Sequence, residues 1–535
     1  MPVQGFLRPS NRASPSRFWV LGGLALAVSA NCGAPFRTCR ETRTCKYVPT
    51  DSGAGGDDNV AGAINDTGMT NGGTAGSSAG SAGSGAGLAG DGGAAGGGAP
   101  CDATRDPSTE SCLIDDDYAL FVAPGGKDSA AGTKKAPLAT LSKAVELAAD
   151  AKLILVCDGT FDEHVIIANG ARIYGGFKCA DWSPEEAAPL FKPTTAGPAL
   201  RVDSTPQPLT FTRIDFEVGD AATSGETALT AVVNDSPSLT FDRVNLKAGK
   251  GKAGASGTLT TFTFPDPATL NGNAETTPGS GGASKTCNCQ PTLASIGGLG
   301  GAPAAGGQSG SKGFPDLGGG GGGDPSLGDC SAGGGGKKGA NAPSAIPGVG
   351  ASTIGSATNS GWTPTNGSDG TIGSPGQAGG GGASLNSSGH GGGGGCGGCG
   401  GNGATGGKGG GGSIALLLID SPVLLQASTL TTADAGDGGS GRTGQSGQPE
   451  SGAGGGVAST FNSCPGGNGG KGGDGGASGG GAGGISVAVV WKGSIAPTLT
   501  DTTITTGKPG AAGIGGVPGS NDGVAGLRRD SLQAL

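Results

Sequence analysis

The stretch that decides the fold is "TALTAVVNDSPSLTFDRVNLKAG", residues Thr227–Gly249. An apolar run is followed by a Ser-Pro turn. A second run rich in Thr and apolar residues then leads into glycine. The pattern recurs as "PALRVDSTPQPLTFTRIDFEVG" from Pro198, "SIALLLIDSPVLLQASTLTTADAG" from Ser413 and "ISVAVVWKGSIAPTLTDTTITTG" from Ile485. Recurrence of one strand–turn–strand unit is the mark of a stacked solenoid, in which each layer buries its apolar face against the next. The runs over residues 152–178 add a first layer, with turns at Asp158-Gly159 and Asn169-Gly170. Four repeats and this first layer define the expected column.

What precedes the repeats differs in kind. "YALFVA", residues 118–123, reads as a strand, and "PGGKDSAAGTKKAP" after it is turn chemistry. Thr140 then caps a helix whose apolar stripe is Leu141, Ala144, Val145 and Ala148. A stacked column has an end with unpaired backbone groups, which one amphipathic helix covers.

The residues "VAPGGKDSAAGT", "PLATL", "VCDGTFDE" and "GARIYGGF" between 118 and 180 resemble the opening of right-handed parallel β-helix proteins of the pectin-lyase-like class. The resemblance implies an all-β fold with an N-terminal capping helix. It implies function less firmly, because that group holds polysaccharide lyases and hydrolases beside bacterial surface proteins without known activity.

Glycine-rich insertions interrupt the column, each leaving after the second run of a repeat. They cover Asp220–Glu226, residues 249–412 and residues 434–484. Neighbouring strands lie ~4.8 Å apart, so insertions leaving from one edge lie side by side. Glycine recurs at Gly394, Gly397, Gly400, Gly403, Gly406, Gly409 and Gly412, and again at Gly466, Gly469, Gly472 and Gly475. A period of three is that of an extended polyproline-II helix. These tracts resemble the glycine-rich repeats of mycobacterial surface proteins. The expectation is that they are partly polyproline-II-like or disordered; 121 glycines in 535 residues, against an ordinary share of about 7%, allow either.

The resulting plan has nine parts: 1–30 signal peptide, 31–50 cysteine-containing N-terminus, 51–111 flexible tether, 112–248 capped start of the β-helix, 249–412 insertion, 413–433 coil, 434–484 insertion, 485–506 last coil and 507–535 tail. Arg8, Arg12 and Arg17 precede the apolar run "FWVLGGLALAVSA", too short to span a bilayer, and Val28-Ser29-Ala30 offers a cleavage site. "LAVSANC" is similar to a lipoprotein cleavage box but departs from it at Asn31, where such boxes carry Gly, Ala or Ser, so the expectation is either lipidation at Cys32 or simple secretion. Localisation outside the cell or in the envelope follows, with outer-membrane lipoprotein as one form.

Thirteen cysteines in an exported chain suggest disulfides. Beyond Cys32 these are Cys39, Cys45, Cys101, Cys112, Cys157, Cys179, Cys287, Cys289, Cys330, Cys396, Cys399 and Cys464. Cys39 with Cys45, Cys101 with Cys112, and Cys157 with Cys179 are near enough in sequence to pair. "CGGC" at Cys396 and Cys399 is not a redox motif, since no helix start or βαβ unit surrounds it. In a threefold helix residues three apart lie ~9.3 Å apart on one face, beyond the ~6.8 Å reach of a disulfide. Both cysteines should therefore bond neighbouring runs, with Cys287, Cys289, Cys330 and Cys464 as candidates.

No catalytic, cofactor or metal site is assigned. "GHG" around His390 is one His in a glycine tract, and a zinc site of His390 with these cysteines lacks the spacing of common zinc modules. "GGKGGDGGA" from Gly469 fits a calcium nonapeptide only in part. Asp115, Asp116 and Asp117 precede the column. Asp203, Asp215, Asp235 and Asp242, with Arg201, Arg213 and Arg243, read as surface ion pairs, Arg213 and Asp215 sharing one strand face. His164 beside Glu163 reads as structural, and Trp182 and Trp491 are the aromatics to weigh for sugar stacking. Net charge of −9 excludes phosphate-rich partners, so nucleic acid is not one. The function expected is structural or adhesive, with polysaccharide or other surface proteins as partners and membrane contact only through the lipid. The alternative is a polysaccharide-active enzyme of the same fold.

Overall fold

The computed structural model describes residues 101–148, 152–275, 280–290, 293–315, 319–457 and 462–534. The expected signal peptide, most of the expected tether, Cys32, Cys39 and Cys45 lie outside the described residues.

The chain builds a parallel β-helix of three sheets, with seven, six and six strands. Strand β1 (Ala119–Val122) and helix α1 (Leu141–Leu147) precede the coils. Coil one is β2 (Leu153–Cys157), β3 (Thr160–Phe161) and β4 (Val165–Ile167). Coil two is β5 (Ala171–Phe177), β6 (Leu190–Phe191) and β7 (Leu200–Asp203). Coil three is β8 (Leu209–Thr212), β9 (Asp215–Glu217) and β10 (Ala228–Asn234). Coil four opens with β11 (Leu239–Asp242) and β12 (Asn245–Lys247). The long insertion follows, carrying the hairpins β13 (Thr286–Gln290)–β14 (Leu293–Ile296) and β15 (Gly355–Thr358)–β16 (Gly361–Pro364), and β17 (Ser413–Ile419) closes the coil. Coil five is β18 (Val423–Gln426), β19 (Thr429–Thr431) and β20 (Ser486–Lys492). Coil six is β21 (Thr498–Thr500), β22 (Thr503–Thr505) and β23 (Arg528–Gln533).

Each coil thus has three strands, where the sequence pattern suggested two. The second run of every repeat is bent in two at a residue with positive φ: Arg213 (53°), Arg243 (53°), Ala427 (46°) and Asp501 (47°). Non-glycine residues reach that region at a cost that the stacked neighbours over-determine. Coil six also corrects the expected C-terminal tail, since β23 pairs in parallel with β20. The expected tether ends sooner than Cys112: residues 101–111 are ordered, and Cys101 and Ile114 pack on the outer face of the first sheet.

Stacking makes like residues meet. In the first sheet Ile154, Ile173, Phe211, Phe241, Leu425 and Leu499 are successive partners. Through the third strands run Ile167, Val202, Val233, Leu418 and Trp491. Between the two, Phe161, Phe191 and Phe216 stack with ring centroids 4.7 and 5.4 Å apart. The register separates an outward row from an inward one. Leu229 and Val487 align through Ile414, whereas Leu416 aligns with Ala231 and Val489 and points into the column. Helix α1 buries Leu141, Ala144 and Val145 against the first coil. Its N-terminus is closed by the Thr140 hydroxyl, which accepts from Lys143 N, and by Glu163, whose carboxylate accepts Leu141 N and Ser142 N at 2.9 Å each.

The insertions all leave between the second and third strands, as residues 218–227, 248–412, 432–485 and 506–527. They assemble into a bundle whose bonding has a period of three. In the run 464–484, Gly469, Gly472 and Gly475 donate to Gly452, Gln448 and Gln445. Gly470, Gly473 and Gly476 donate instead to Gln377, Ser374 and Thr371. A β-strand would send alternate residues to one side; here every third residue shares a partner, which is threefold polyproline-II geometry. The run 391–411 donates to 464–484, from Gly395, Gly398 and Gly401 to Gly467, Gly470 and Gly473. The run 365–383 donates to 391–411, from Gly373 and Gly376 to Gly401 and Gly398. The three runs close a ring of donors and acceptors, and a Cβ on Gly472 would collide with the Cys399 carbonyl.

A second apolar cluster joins bundle and column. Trp362 of β16 packs over Leu229, Val232, Ile414 and Leu417 on the outer face of the third-strand sheet. Beside it, Asp203 accepts from Arg201 at 2.6 Å and from Asn234 at 2.7 Å, and Arg201 reaches the Asn359 carbonyl at 3.0 Å.

Candidate functional site

Five disulfides form among the described residues: Cys101–Cys112, Cys157–Cys179, Cys287–Cys396, Cys289–Cys399 and Cys330–Cys464. Cys396 and Cys399 each bond a cysteine of β13, and three of the five disulfides tie the bundle's own runs together. Cys157, Asp158 and Cys179 lie close enough to suggest a metal site, but their thiols are joined to each other. His390 donates its backbone N–H to Ser463 Oγ and lies half-buried in the bundle, and every cysteine among the described residues is already joined in a disulfide.

The Asp and Arg residues of the coils split into two groups. Arg213 does not pair with Asp215, because it sits on the corner and turns to Asp106 at 3.4 Å. Arg243 meets the same carboxylate at 3.1 Å and Asp242 at 2.7 Å. Burial works to raise the pKa of Asp106, but the Ser108 N–H and hydroxyl, the Arg243 guanidinium and the charge of Arg213 outweigh it and hold it low. Asp106 therefore clamps the N-terminal segment across two coils. Asp116 similarly accepts from Lys134 N.

Asp215 and Glu217 share the outer face of β9. Burial pushes the Asp215 carboxyl up, only partly offset by Asn245, whose side-chain amide donates at 2.7 Å. Glu217 moves the other way: burial raises it, but Lys192 at 2.9 Å and Lys247 at 3.3 Å bring it down. This is an ion-pair ladder running along the stack. Trp182 is 4% exposed and meets Phe121 edge-on, so it has no face for a sugar. Trp491 points inward on the column.

A concavity lies where the turns of coils two and three leave the column. A cleft of about 150 Å³ is framed by residues 193–197 and by 218–222 with 226–229. His164 fixes its near wall, one ring nitrogen on the Pro198 carbonyl at 2.8 Å and the other on Thr195 Oγ1 at 2.7 Å. Asp162 holds Thr194 by its N–H and hydroxyl, both at 2.8 Å. On the far wall Glu226 Oε2 accepts from Ala222 N, Thr223 N and Thr223 Oγ1, and these bonds from Thr223 depress its pKa. Asp220 Oδ1 accepts from Lys250 N at 2.7 Å. Sequence reasoning passed over this place, because Thr195, Asp220 and Glu226 belong to turns that only stacking brings together.

A family model described as "Protein of unknown function (DUF1565)" matches residues 124–178, the region of the cap and first coils. That family is associated with parallel β-helix proteins, in line with the stacked sheets. No curated protein and no solved structure matches the chain.

Proposed function

We propose that the chain is an exported, surface-tethered structural or adhesive β-helix protein of the bacterial cell envelope. The observation that carries this is the bundle itself. Long insertions leave one corner of the column and are locked into a single hydrogen-bonded body by three disulfides. A rigid, disulfide-fixed projection suits presentation of surface, and disulfides persist in oxidising compartments. Asp106, Glu217 and Asp162 are tied in a clamp, a ladder and a turn, which is a structural use.

The second reading, a polysaccharide lyase or hydrolase, is favoured by one observation: Asp215 and Glu217 share a strand face and have pKa values pushed apart. One assay separates the two. The secreted fragment from residue 101 is incubated with uronate polymers and calcium, and with neutral polysaccharides, following unsaturated product and reducing ends. The expected outcome is binding to cells or envelope glycan without turnover. Turnover that disappears in Asp215→Asn establishes the enzyme instead.

A further inference from the structure

The cleft between coils two and three has a specific chemistry. It exists because the coil-three insertion is short, Asp220–Glu226, while coils four to six send out the bundle. A step is left between the coil-two turn and the bundle's first run, and junctions between packed bodies are where ligand sites concentrate. A cavity of about 150 Å³ holds one six-membered ring. Pro193, Ala196, Val218 and Leu229 supply apolar wall, as one face of a pyranose requires.

The polar part is negative. No Lys or Arg is among the lining residues, while Asp220 and Glu226 both are. Each carboxylate is held through one oxygen, Asp220 Oδ1 and Glu226 Oε2, leaving Asp220 Oδ2 and Glu226 Oε1 without a bond among the described residues. Thr194 and Thr195 add hydroxyls already positioned by Asp162 and His164. Walls fixed before binding lose little entropy when a ligand arrives. The negative lining rejects uronates, sulfates and phosphates and accepts a cation bearing hydroxyls.

We propose that this cleft binds a single hexosamine residue, its protonated amine seated between Asp220 and Glu226 and its ring hydroxyls on Thr194 and Thr195. The site rests on the adhesive reading above and assigns it a sugar class.

The test uses the full chain and three probes: glucosamine, N-acetylglucosamine and galacturonate, by ligand-observed NMR titration. Glucosamine is expected to bind about tenfold more tightly than its N-acetyl form, since a charge-assisted bond is lost on acetylation, and galacturonate not at all. Glu226→Gln and Asp220→Asn each weaken glucosamine by about tenfold. Ala196→Trp, which fills the cleft and leaves both carboxylates unaltered, abolishes binding; circular dichroism confirms that each variant is folded. Equal affinity for the two amino sugars, binding that survives Ala196→Trp, or absence of glucosamine binding overturns the proposal. Adhesion to cells is read in parallel. If the chain adheres while glucosamine does not bind, the cleft assignment falls and the adhesive role stands; if it does not adhere, the adhesive role falls.

Discussion

The column and the bundle are two solutions to the same problem of stacking chain on chain. The column buries side chains: Phe211, Phe241 and Leu425 fill its interior, and its backbone bonds run along the stack. The bundle buries backbone. In the run 464–484, 13 of 21 residues are glycine, and N–H groups leave in directions three residues apart. Side-chain cores tolerate substitution when volume is conserved. A glycine bundle has no volume to trade, because a Cβ lands on a neighbouring carbonyl. The column owes its stability mainly to apolar burial, the bundle to satisfied peptide groups and cross-links.

The difference can be broken most sharply by adding side chain where there is none. Gly472→Val should open the centre of the bundle, with hydrogen-exchange protection lost over 464–484 while the coils keep theirs. If the bundle stays protected, its close backbone packing is wrong. Next in size is the reverse change: Phe211→Ala in the column should cost about 3–5 kcal/mol in denaturant unfolding, by lost transfer and cavity. A change confined to the bundle follows. Replacing Cys289 and Cys399 together by Ser opens a disulfide spanning 110 residues and should cost about 2–4 kcal/mol, read as earlier proteolysis of the bundle alone.

Two smaller effects concern charge. Asp106 is held below its ordinary value of 3.8 in the folded chain, so its contribution is present above that pH and is lost as pH falls through its folded pKa. Asp106→Asn should lower the melting temperature at neutral pH and make no difference in strong acid. Asp215 has the opposite sign. Its pKa is raised by burial, so ionisation works against the fold above that pKa. Asp215→Asn should leave stability at pH 7 unchanged or slightly higher, with the Asn245 bond kept. A large loss would show a partner for the carboxylate beyond Asn245.

Much of this architecture was legible because its signals are local. Thr140 before an apolar stripe announces the cap, and repeated Ser-Pro turns after apolar runs announce the coils. The third strand was not legible. Its corner is made by Arg213 and Arg243, residues that carry no turn propensity and adopt positive φ only because the layers above and below hold them. Arg213 was misread as a partner of nearby Asp215, since Asp106 lies 107 residues from it in sequence and touches it only after folding, whereas Arg243 does meet its neighbour Asp242.

By itself the sequence determined the periods: a strand–turn–strand unit for the column, and glycine at every third residue for the bundle, because each period fixes which side chains share a face. It also determined that Cys396 and Cys399 point the same way. Tertiary structure alone decided which chains become neighbours. Cys287 meets Cys396, Asp106 spans two coils and Glu226 lines one cleft with Thr195, because stacking converts separations of many residues into one strand spacing, a distance that no local pattern encodes.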